Sequence, residues 1–349
     1  MISKKQRGLF EEQERLSKLT NQKDPLVKLN SMINWTQFKP ILTSALFKEP
    51  KGPGGRPSYD FLMMFKILIL QRYYNISDDQ TEYQILDRMS FMRFLGLTLN
   101  DRVPDSKTIW HFRELLIGSN SIELLFSKFS KSLEQSGLIL NEGKIVDASF
   151  VEVPKQRNSR EENALIKNGE VPQEWENNQN KLSQKDIDAR WTKKNNTSFY
   201  GYKDHVKVDA KSKLIENYLV TDASVHDSQA LENLLTGKDK DQELFADSAY
   251  TGDALEQMLA KKKIISKIHE KGYKNKSLTK TQLKRNNKKS KTRVRVEHVF
   301  GFIENSMGGS FIRTIGKKRA EAVIGLMNLT YNLFRTIQIL NIRGIIVSI

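Results

Sequence analysis

The chain has 349 residues, which is long enough for two domains with their own cores. Its 57 Lys and Arg outnumber its 41 Asp and Glu, and the net charge of +16 favours a polyanionic partner such as nucleic acid. The absence of cysteine excludes disulfides and cysteine-based zinc modules. No signal-peptide core is visible at the start, and the most apolar stretch, FLMMFKILIL, is short and carries Lys66. We therefore expect no membrane partner.

Residues 1–140 predict an all-helical N-terminal domain. A loop rich in Gly and Pro, GPGGRPS at 52–58, precedes a helix whose expected N-cap is Ser58. A later helix is expected to be capped by Asp105 or Ser106. These helices predict a domain for DNA end binding, dimerisation, or both.

The helix after Pro104 carries the basic residues that are candidates for DNA contact in this domain. Lys107 and Arg113 lie on it, together with His111. A helix-turn-helix would place such a helix in a DNA groove. A helical domain that only supports dimerisation fits the same pattern.

Residues 141–340 predict an α/β domain. β-branched segments such as KIVDASFVEV alternate with helical segments, and their order predicts a mixed sheet flanked by helices. A polar stretch at 155–198 is expected to be an insertion that is partly helical or mobile. Residues 341–349 are expected to form a tail.

Three acidic residues are the candidate metal ligands of this domain. Asp147 and Asp247 each follow a short apolar run, so each is expected where a buried strand ends. Glu297 lies on a predicted helix and shares one face with Arg293 and Glu304. Mg²⁺ prefers hard oxygen ligands, and two such ions about 3.5–4 Å apart can drive phosphoryl transfer. Each Asp alone also fits a turn or cap, and Glu297 also fits a surface pair with Arg293.

A strongly basic segment lies directly before Glu297. Residues 271–296 contain eleven Lys or Arg and no acidic residue. Such a run fits a solvated segment, but its place beside Glu297 favours contact with DNA phosphates. The residues expected to bind DNA here are Lys284, Arg285, Lys288, Lys289, Arg293 and Arg295.

Two histidines are candidates for a second kind of site. His205 and His226, with Asp222 or Asp227, would make a metal or acid–base site. The five histidines show neither HxH nor HExxH spacing, so a zinc site is not expected. The alternative role of His226 and Asp227 is to cap the helix that follows them.

Several strings in order carry a family resemblance: IVDASFVEV, FYGYKDHVKVD, LVTDASVHDSQAL, LFADSAYTGD and RVRVEHVFGFIENSMGG. Together they resemble the DDE transposases of bacterial insertion sequences, in the broad family named after insertion sequence five. The strings GRPSYDFLMMFKILILQRYYNISDDQTEYQI and VPDSKTIWHFRELL resemble the N-terminal domain of that family. The likeness covers about residues 50–335.

The resemblance implies an RNase H-like catalytic domain in which Asp147, Asp247 and Glu297 are the metal-binding triad. It implies two Mg²⁺ ions as cofactor, with Mn²⁺ as a substitute. Arg293 matches the Arg of the family signature around the Glu. Many relatives carry Lys seven residues after that Glu, where this chain has Glu304, so a phosphate contact from this position is not expected.

The expected function is a DNA transposase that cuts the ends of an insertion sequence and joins the 3′-OH to target DNA. The expected partners are the terminal repeats, the target DNA and further copies of the chain, in a homodimer or higher multimer. The expected localisation is the bacterial cytoplasm, at the nucleoid. Two alternatives stay open: an RNase H-like nuclease that only hydrolyses, and a non-catalytic DNA-binding protein derived from a decayed transposase.

Overall fold

The computed structural model describes residues 10–47, 58–273, 276–344 and 349. The chain divides into two compact units, one of Met1–Ser121 with Ile337–Ile349 and one of Ile122–Thr336. Of the predicted loop at 52–58, only Ser58 lies within the described residues. No helix among the described residues is long and apolar enough to cross a membrane.

The first unit is built of helices, as predicted. They are α1 (Glu11–Asn21), α2 (Pro25–Met32), α3 (Lys39–Leu46), α4 (Phe61–Tyr74), α5 (Asp78–Asp87), α6 (Met89–Leu95) and α7 (Ser106–Gly118). The cap of α4 is Asp60, which accepts from the Met63 N–H at 2.7 Å, so the prediction of Ser58 was wrong. The cap of α7 is Asp105, as predicted, and it accepts from the Thr108 N–H at 2.7 Å.

Helix α4 forms the centre of the first unit. Its sequence is apolar nearly all round, so it is buried among its neighbours rather than exposed along one face. Trp35 packs edge-on against Phe65 of α4 and against Phe94, with ring centroids 6.3 and 5.5 Å apart. The end of the predicted tail also belongs to this unit, because the Ile349 N–H donates to the Met32 carbonyl at 2.9 Å.

The second unit contains the strands and the remaining helices. The strands are β1 (Lys144–Glu152), β2 (Arg190–Lys194), β3 (Thr197–Asp209), β4 (Ile215–Asp222), β5 (Glu243–Phe245) and β6 (Ile265–Ser266). The helices are α8 (Ser121–Gln135), α9 (Arg160–Lys167), α10 (Gln173–Glu176), α11 (Gln179–Ser183), α12 (Asp227–Leu234), α13 (Asp253–Lys261), α14 (Lys280–Arg293), α15 (Glu297–Gly301) and α16 (Lys317–Arg343). The last residues of α16, from Ile337, belong to the first unit. The predicted insertion therefore forms α9 to α11 and β2, and it reaches into β3.

The strands within the described residues form one mixed six-stranded sheet. Its order is β2-β3-β1-β5-β6, and β4 also pairs with β3. β1 is antiparallel to β3, which is antiparallel to β2 and β4, while β5 is parallel to both β1 and β6. This order, with helices on the sheet, confirms the predicted RNase H-like architecture.

The two faces of β1 meet different parts of the unit. Side chains alternate along a strand, so Val146 and Asp147 point to opposite faces. Val146 joins the core that Leu231 and Leu234 of α12 and Leu259 of α13 help to form. The face of Asp147 meets the chain segment that begins with α14, because Arg293 donates to Asp147 and Ser149 donates to Glu304.

Candidate active site

Asp147 lies in the middle of β1, so its predicted place at a strand end was wrong. It pairs in register with Val206, and β1 continues to Glu152. The strand continues because the residues after Asp147 keep pairing with β3, which is 13 residues long. A carboxylate at this position projects from a fixed backbone rather than from a turn.

Asp247 follows β5, and its predicted place at a strand end is confirmed. Its side chain caps the 3₁₀ turn Ser248–Tyr250 and accepts from the Ala249 N–H at 2.8 Å. The parallel register pairs Ile145 with Phe245. Asp247 lies two residues beyond this pair, and its carboxylate is close enough to Asp147 to raise the pKa of Asp147.

Glu297 is the first residue of α15 and is joined to Asp147 through Arg293. A 3₁₀ turn, Val294–Val296, connects α14 to α15. Arg293 Nη1 donates to Asp147 Oδ2 at 2.8 Å, and Nη2 donates to Glu297 Oε1 at 3.3 Å. The predicted Arg293–Glu297 pair therefore exists, but it is one half of a bridge that reaches β1.

The electrostatics of the site follow from burial and from the closeness of like charges. Burial raises the pKa of Asp147 to about 6. The Ala148 N–H and the Arg293 guanidinium pull this pKa down, whereas the Asp247 carboxylate pushes it up. Glu297 differs from Asp147, because 59% of its side chain is exposed. The carboxylates of Asp147 and Asp247 repel each other, and Arg293 relieves this repulsion in part. A cation bound between the carboxylates would relieve it further.

The residues present have the chemistry of a site for a hard divalent cation. Within the described residues, no three acidic or imidazole groups stand close enough to hold a metal ion. The three carboxylates nevertheless supply the oxygen ligands that Mg²⁺ prefers. A buried hydroxyl supports the fit: Tyr250 Oη has no hydrogen-bond partner in the described part of the chain. Its pKa is raised by burial and then by Asp147, Asp227 and Asp247, so it lies in their field.

Glu304 makes a contact that sequence reasoning missed. Its Oε1 accepts a hydrogen bond of 2.5 Å from Ser149 Oγ on β1. Glu304 lies in a π-helical turn, Phe302–Ser306, which follows α15. Helical spacing alone places Glu304 two turns after Glu297 but does not reveal the π-helical turn or the partner on β1.

The basic segment forms an ordered helix with two different faces. Helix α14 begins with a capping box between Thr279 and Gln282. One face contacts the segment after β6: the exposed Arg285 pairs with Glu270 at 2.7 Å, and Lys289 Nζ donates to the Ile268 carbonyl at 2.7 Å. These two basic side chains therefore already have protein acceptors.

The outward face of α14 carries the lysines that we call the lysine stripe: Lys280, Lys284, Lys288 and Lys291. At about 100° per residue they fall within an arc of about 80°. All four are exposed, and none of them forms an ion pair with another described residue. The sequence predicted a basic surface before Glu297 but could not separate these lysines from Arg285 and Lys289.

Three other predicted DNA contacts lie elsewhere. Arg295 donates to the Ala210 carbonyl at 2.8 Å. In the first unit, Arg113 forms a bidentate pair with Asp78, both bonds being 2.8 Å long. Lys107 is exposed on α7. Of the three, Lys107 is therefore the side chain that is presented to solvent.

The two histidines do not form a metal site with their neighbours. His226 Nδ1 accepts from the Ser228 N–H at 3.3 Å, which confirms the predicted alternative that it caps α12. His205 is buried on β3, where burial lowers its pKa to about 4, and its Nε2 bonds Thr221 Oγ1 at 2.8 Å. Asp227 instead pairs with Lys203 at 2.8 Å.

Comparison with known proteins gives the family. Residues 14–115 match the family described as Transposase domain (DUF772), and residues 140–333 match the family described as Transposase DDE domain. A solved structure of a piggyBac transposase synaptic complex with hairpin DNA is also similar. That match covers 92% of this chain and 76% of that chain, at 12% sequence identity and a TM-score of 0.46, which is too low to transfer any property. Because the second family match spans more than half of the chain, the chain belongs to the DDE transposase family and is an enzyme of the DDE type.

Proposed function

We propose that this transposase cuts the ends of an insertion sequence and joins the freed 3′-OH to target DNA. The observation that supports this chemistry is that the carboxylate of Asp247 acts on Asp147, while Glu297 is linked to Asp147 through Arg293. We assign these three carboxylates as ligands of two Mg²⁺ ions, with Mn²⁺ as a substitute. Such ions, when bound, would activate the attacking oxygen and stabilise charge on the leaving oxygen.

The basic side chains near these carboxylates are proposed to bind and orient the DNA. Arg293 has a planar guanidinium beside the carboxylates and can turn its donors to a phosphate, for which its geometry is well suited. The lysine stripe, Lys280, Lys284, Lys288 and Lys291, is free to contact the DNA backbone. Arg285, Lys289 and Arg295 would contribute through the field of their charge, because each already donates to a protein acceptor.

We also propose binding partners and a cellular location for this protein. The first unit, with Lys107 exposed and Arg113 paired, is assigned to end binding or dimerisation. Two ends of one element must be processed together, so we include assembly as a homodimer or higher multimer on DNA. Membership of the family named after insertion sequence five belongs to the same proposal and is supported by the ordered motifs. Because the proposed substrate is bacterial DNA, we place the enzyme in the cytoplasm, at the nucleoid.

The deciding experiment supplies the protein with labelled end DNA, a supercoiled target plasmid and Mg²⁺. The proposal expects cleavage at the end and covalent joining of the 3′-OH strand to the plasmid. Cleavage without joining, even from a precut 3′-OH end, would instead identify a nuclease that only hydrolyses. Binding without cleavage in either Mg²⁺ or Mn²⁺ would identify a non-catalytic DNA-binding protein. Asp147→Asn serves as the inactive control in each arm.

A further inference from the structure

Glu304 is an acidic residue near the site that the proposed chemistry does not use. Its hydrogen bond from Ser149 is short, at 2.5 Å, and both side chains are half-buried. The π-helical turn that carries Glu304 widens the helix locally, and such turns occur frequently at functional sites. Among the described residues, Glu304 makes no hydrogen bond to Asp147, Asp247 or Glu297.

The bond from Ser149 joins the strand of one triad residue to the helix of another. Side chains alternate along a strand, so Ser149 lies on the same face of β1 as Asp147, about 7 Å further along. Glu304 follows Glu297 by two helical turns, about 10 Å along the axis. A change in this contact would therefore shift Glu297 relative to Asp147.

The chain from Arg293 to Ser310 meets β1 at successive places along the strand. Arg293 donates to Asp147 at 2.8 Å, Ser149 donates to Glu304, and the Glu152 N–H donates to the Ser310 carbonyl at 2.9 Å. A segment held at one place can pivot about it, whereas contacts further along fix its direction. The Ser310 contact lies beyond the helix, and Val299 and Ile303 bury the apolar side of the helical part, so the bond to Glu304 is the polar contact that ties this part to β1.

We propose that Ser149 and Glu304 form a positioning pair that fixes the separation of Asp147 and Glu297. The inference rests on the proposed function, because that function makes these carboxylates the metal ligands. Groups that orient metal ligands from outside typically change metal affinity by about 10–100-fold when they are removed. The pair needs a hydroxyl donor and an oxygen acceptor, so an amide oxygen at position 304 serves as well as a carboxylate.

The test measures Mn²⁺ binding to the full chain without DNA, by electron paramagnetic resonance, beside single-turnover cleavage at saturating DNA. Ser149→Ala and Glu304→Ala should each weaken Mn²⁺ binding by about 10-fold. Each should slow cleavage at low Mn²⁺ while DNA affinity is unchanged. Ser149→Thr and Glu304→Gln keep the hydrogen bond and should bind Mn²⁺ like the parent chain. The double alanine variant should be no weaker than either single variant.

The matched control is Asn305→Ala, which changes an exposed neighbour in the same π-helical turn and should bind Mn²⁺ normally. Alanine variants that bind Mn²⁺ and cut DNA like the parent chain would overturn the positioning pair alone. A Glu304→Gln variant as weak as Glu304→Ala would overturn it too, because charge would then be the requirement. The proposed function would be contradicted if the parent chain bound Mn²⁺ through Asp147 but never cut DNA. In that case the Mn²⁺ affinities of the variants would still support or refute the positioning pair.

Discussion

Arg293 and Asp147 are joined by a hydrogen bond of 2.8 Å although 146 residues separate them in the chain. The same guanidinium donates to Glu297 at 3.3 Å, so one side chain pairs with two of the three proposed ligands. Its Nε is buried and has no hydrogen-bond partner among the described residues. The guanidinium supplies positive charge between two carboxylates, as a bound divalent cation would.

We therefore predict that Arg293 competes with the metal in the DNA-free chain. Arg293→Ala should bind Mn²⁺ several-fold more tightly than the parent chain, because a competing cation is gone. It should also cut DNA more slowly, because the guanidinium that is proposed to orient the DNA phosphate is gone. The Mn²⁺ affinity of Arg293→Lys should lie between those of the parent chain and Arg293→Ala, because one ammonium cannot hold two carboxylates as a planar guanidinium does. Titration with Mn²⁺ checks the affinities, and unchanged binding by Arg293→Ala would rule out the competition.

A second prediction concerns the three carboxylates. Asp147→Asn, Asp247→Asn and Glu297→Gln should each abolish cleavage in Mg²⁺, because each removes a charged oxygen ligand with little change of shape. End binding, measured by gel shift, and the unfolding temperature should stay close to those of the parent chain. A variant that still cuts at a near-normal rate would remove its residue from the ligand set.

The two faces of α14 give a third prediction. Changing Lys284 and Lys288 together to Gln should weaken binding to all DNA sequences alike. The slope of log K against log salt should shrink by up to about 0.9 for each phosphate that the protein no longer neutralises. The matched control changes Arg285 and Lys289, on the face that contacts the segment after β6, and removes the same charge. Because these two side chains hold Glu270 and Ile268, the control should lower the unfolding temperature and change the salt slope less.

Equal salt slopes for the two double variants would show that only net charge matters. In that case the lysine stripe would not be a contact surface, and the basic segment would act through its field alone.

The sequence was sufficient for features that depend on local patterns. Asp247 lies between a short apolar run and a turn, and the sequence LFADSAYTGD shows both. The helical first unit follows from apolar spacing and from a clear cap at Asp105. The order of strands and helices was enough to predict a mixed sheet, because few layer arrangements can bury the apolar faces of alternating strands and helices.

Other features depend on contacts between distant parts of the chain. Asp147 lies within β1 because the long β3 extends the pairing, which no pattern around Asp147 reveals. Helix α14 is polar on all sides, so it lacks the apolar stripe that indicates which face is buried. The π-helical turn at Glu304 breaks the regular spacing from which its position was predicted.

Asp204 provides the basis for a prediction on stability and pH. It is fully buried on β3, opposite Ser149 in register, and Asn328 Nδ2 of α16 donates to its Oδ1 at 3.1 Å. Burial raises its pKa to about 7, and the bond from Asn328 lowers it only in part. Within the described residues no cation pairs with Asp204, and Tyr218, whose pKa burial and Asp204 raise, is the titratable neighbour from β4.

The contribution of Asp204 to stability should therefore fall as pH rises from about 4 to about 7. Below the unfolded pKa of about 3.9 both states carry the proton, whereas between the two pKa values only the folded state binds it. The contribution of Asp204 falls by up to about 1.4 kcal/mol per pH unit in this window and is constant above it. Asp204→Asn keeps an acceptor for Asn328 but cannot ionise, so it should match the parent chain at pH 4 and exceed it in stability at pH 8. Urea unfolding at both pH values gives the difference. If the stability difference between variant and parent were the same at pH 4 and pH 8, Asp204 would titrate alike in the folded and unfolded chain.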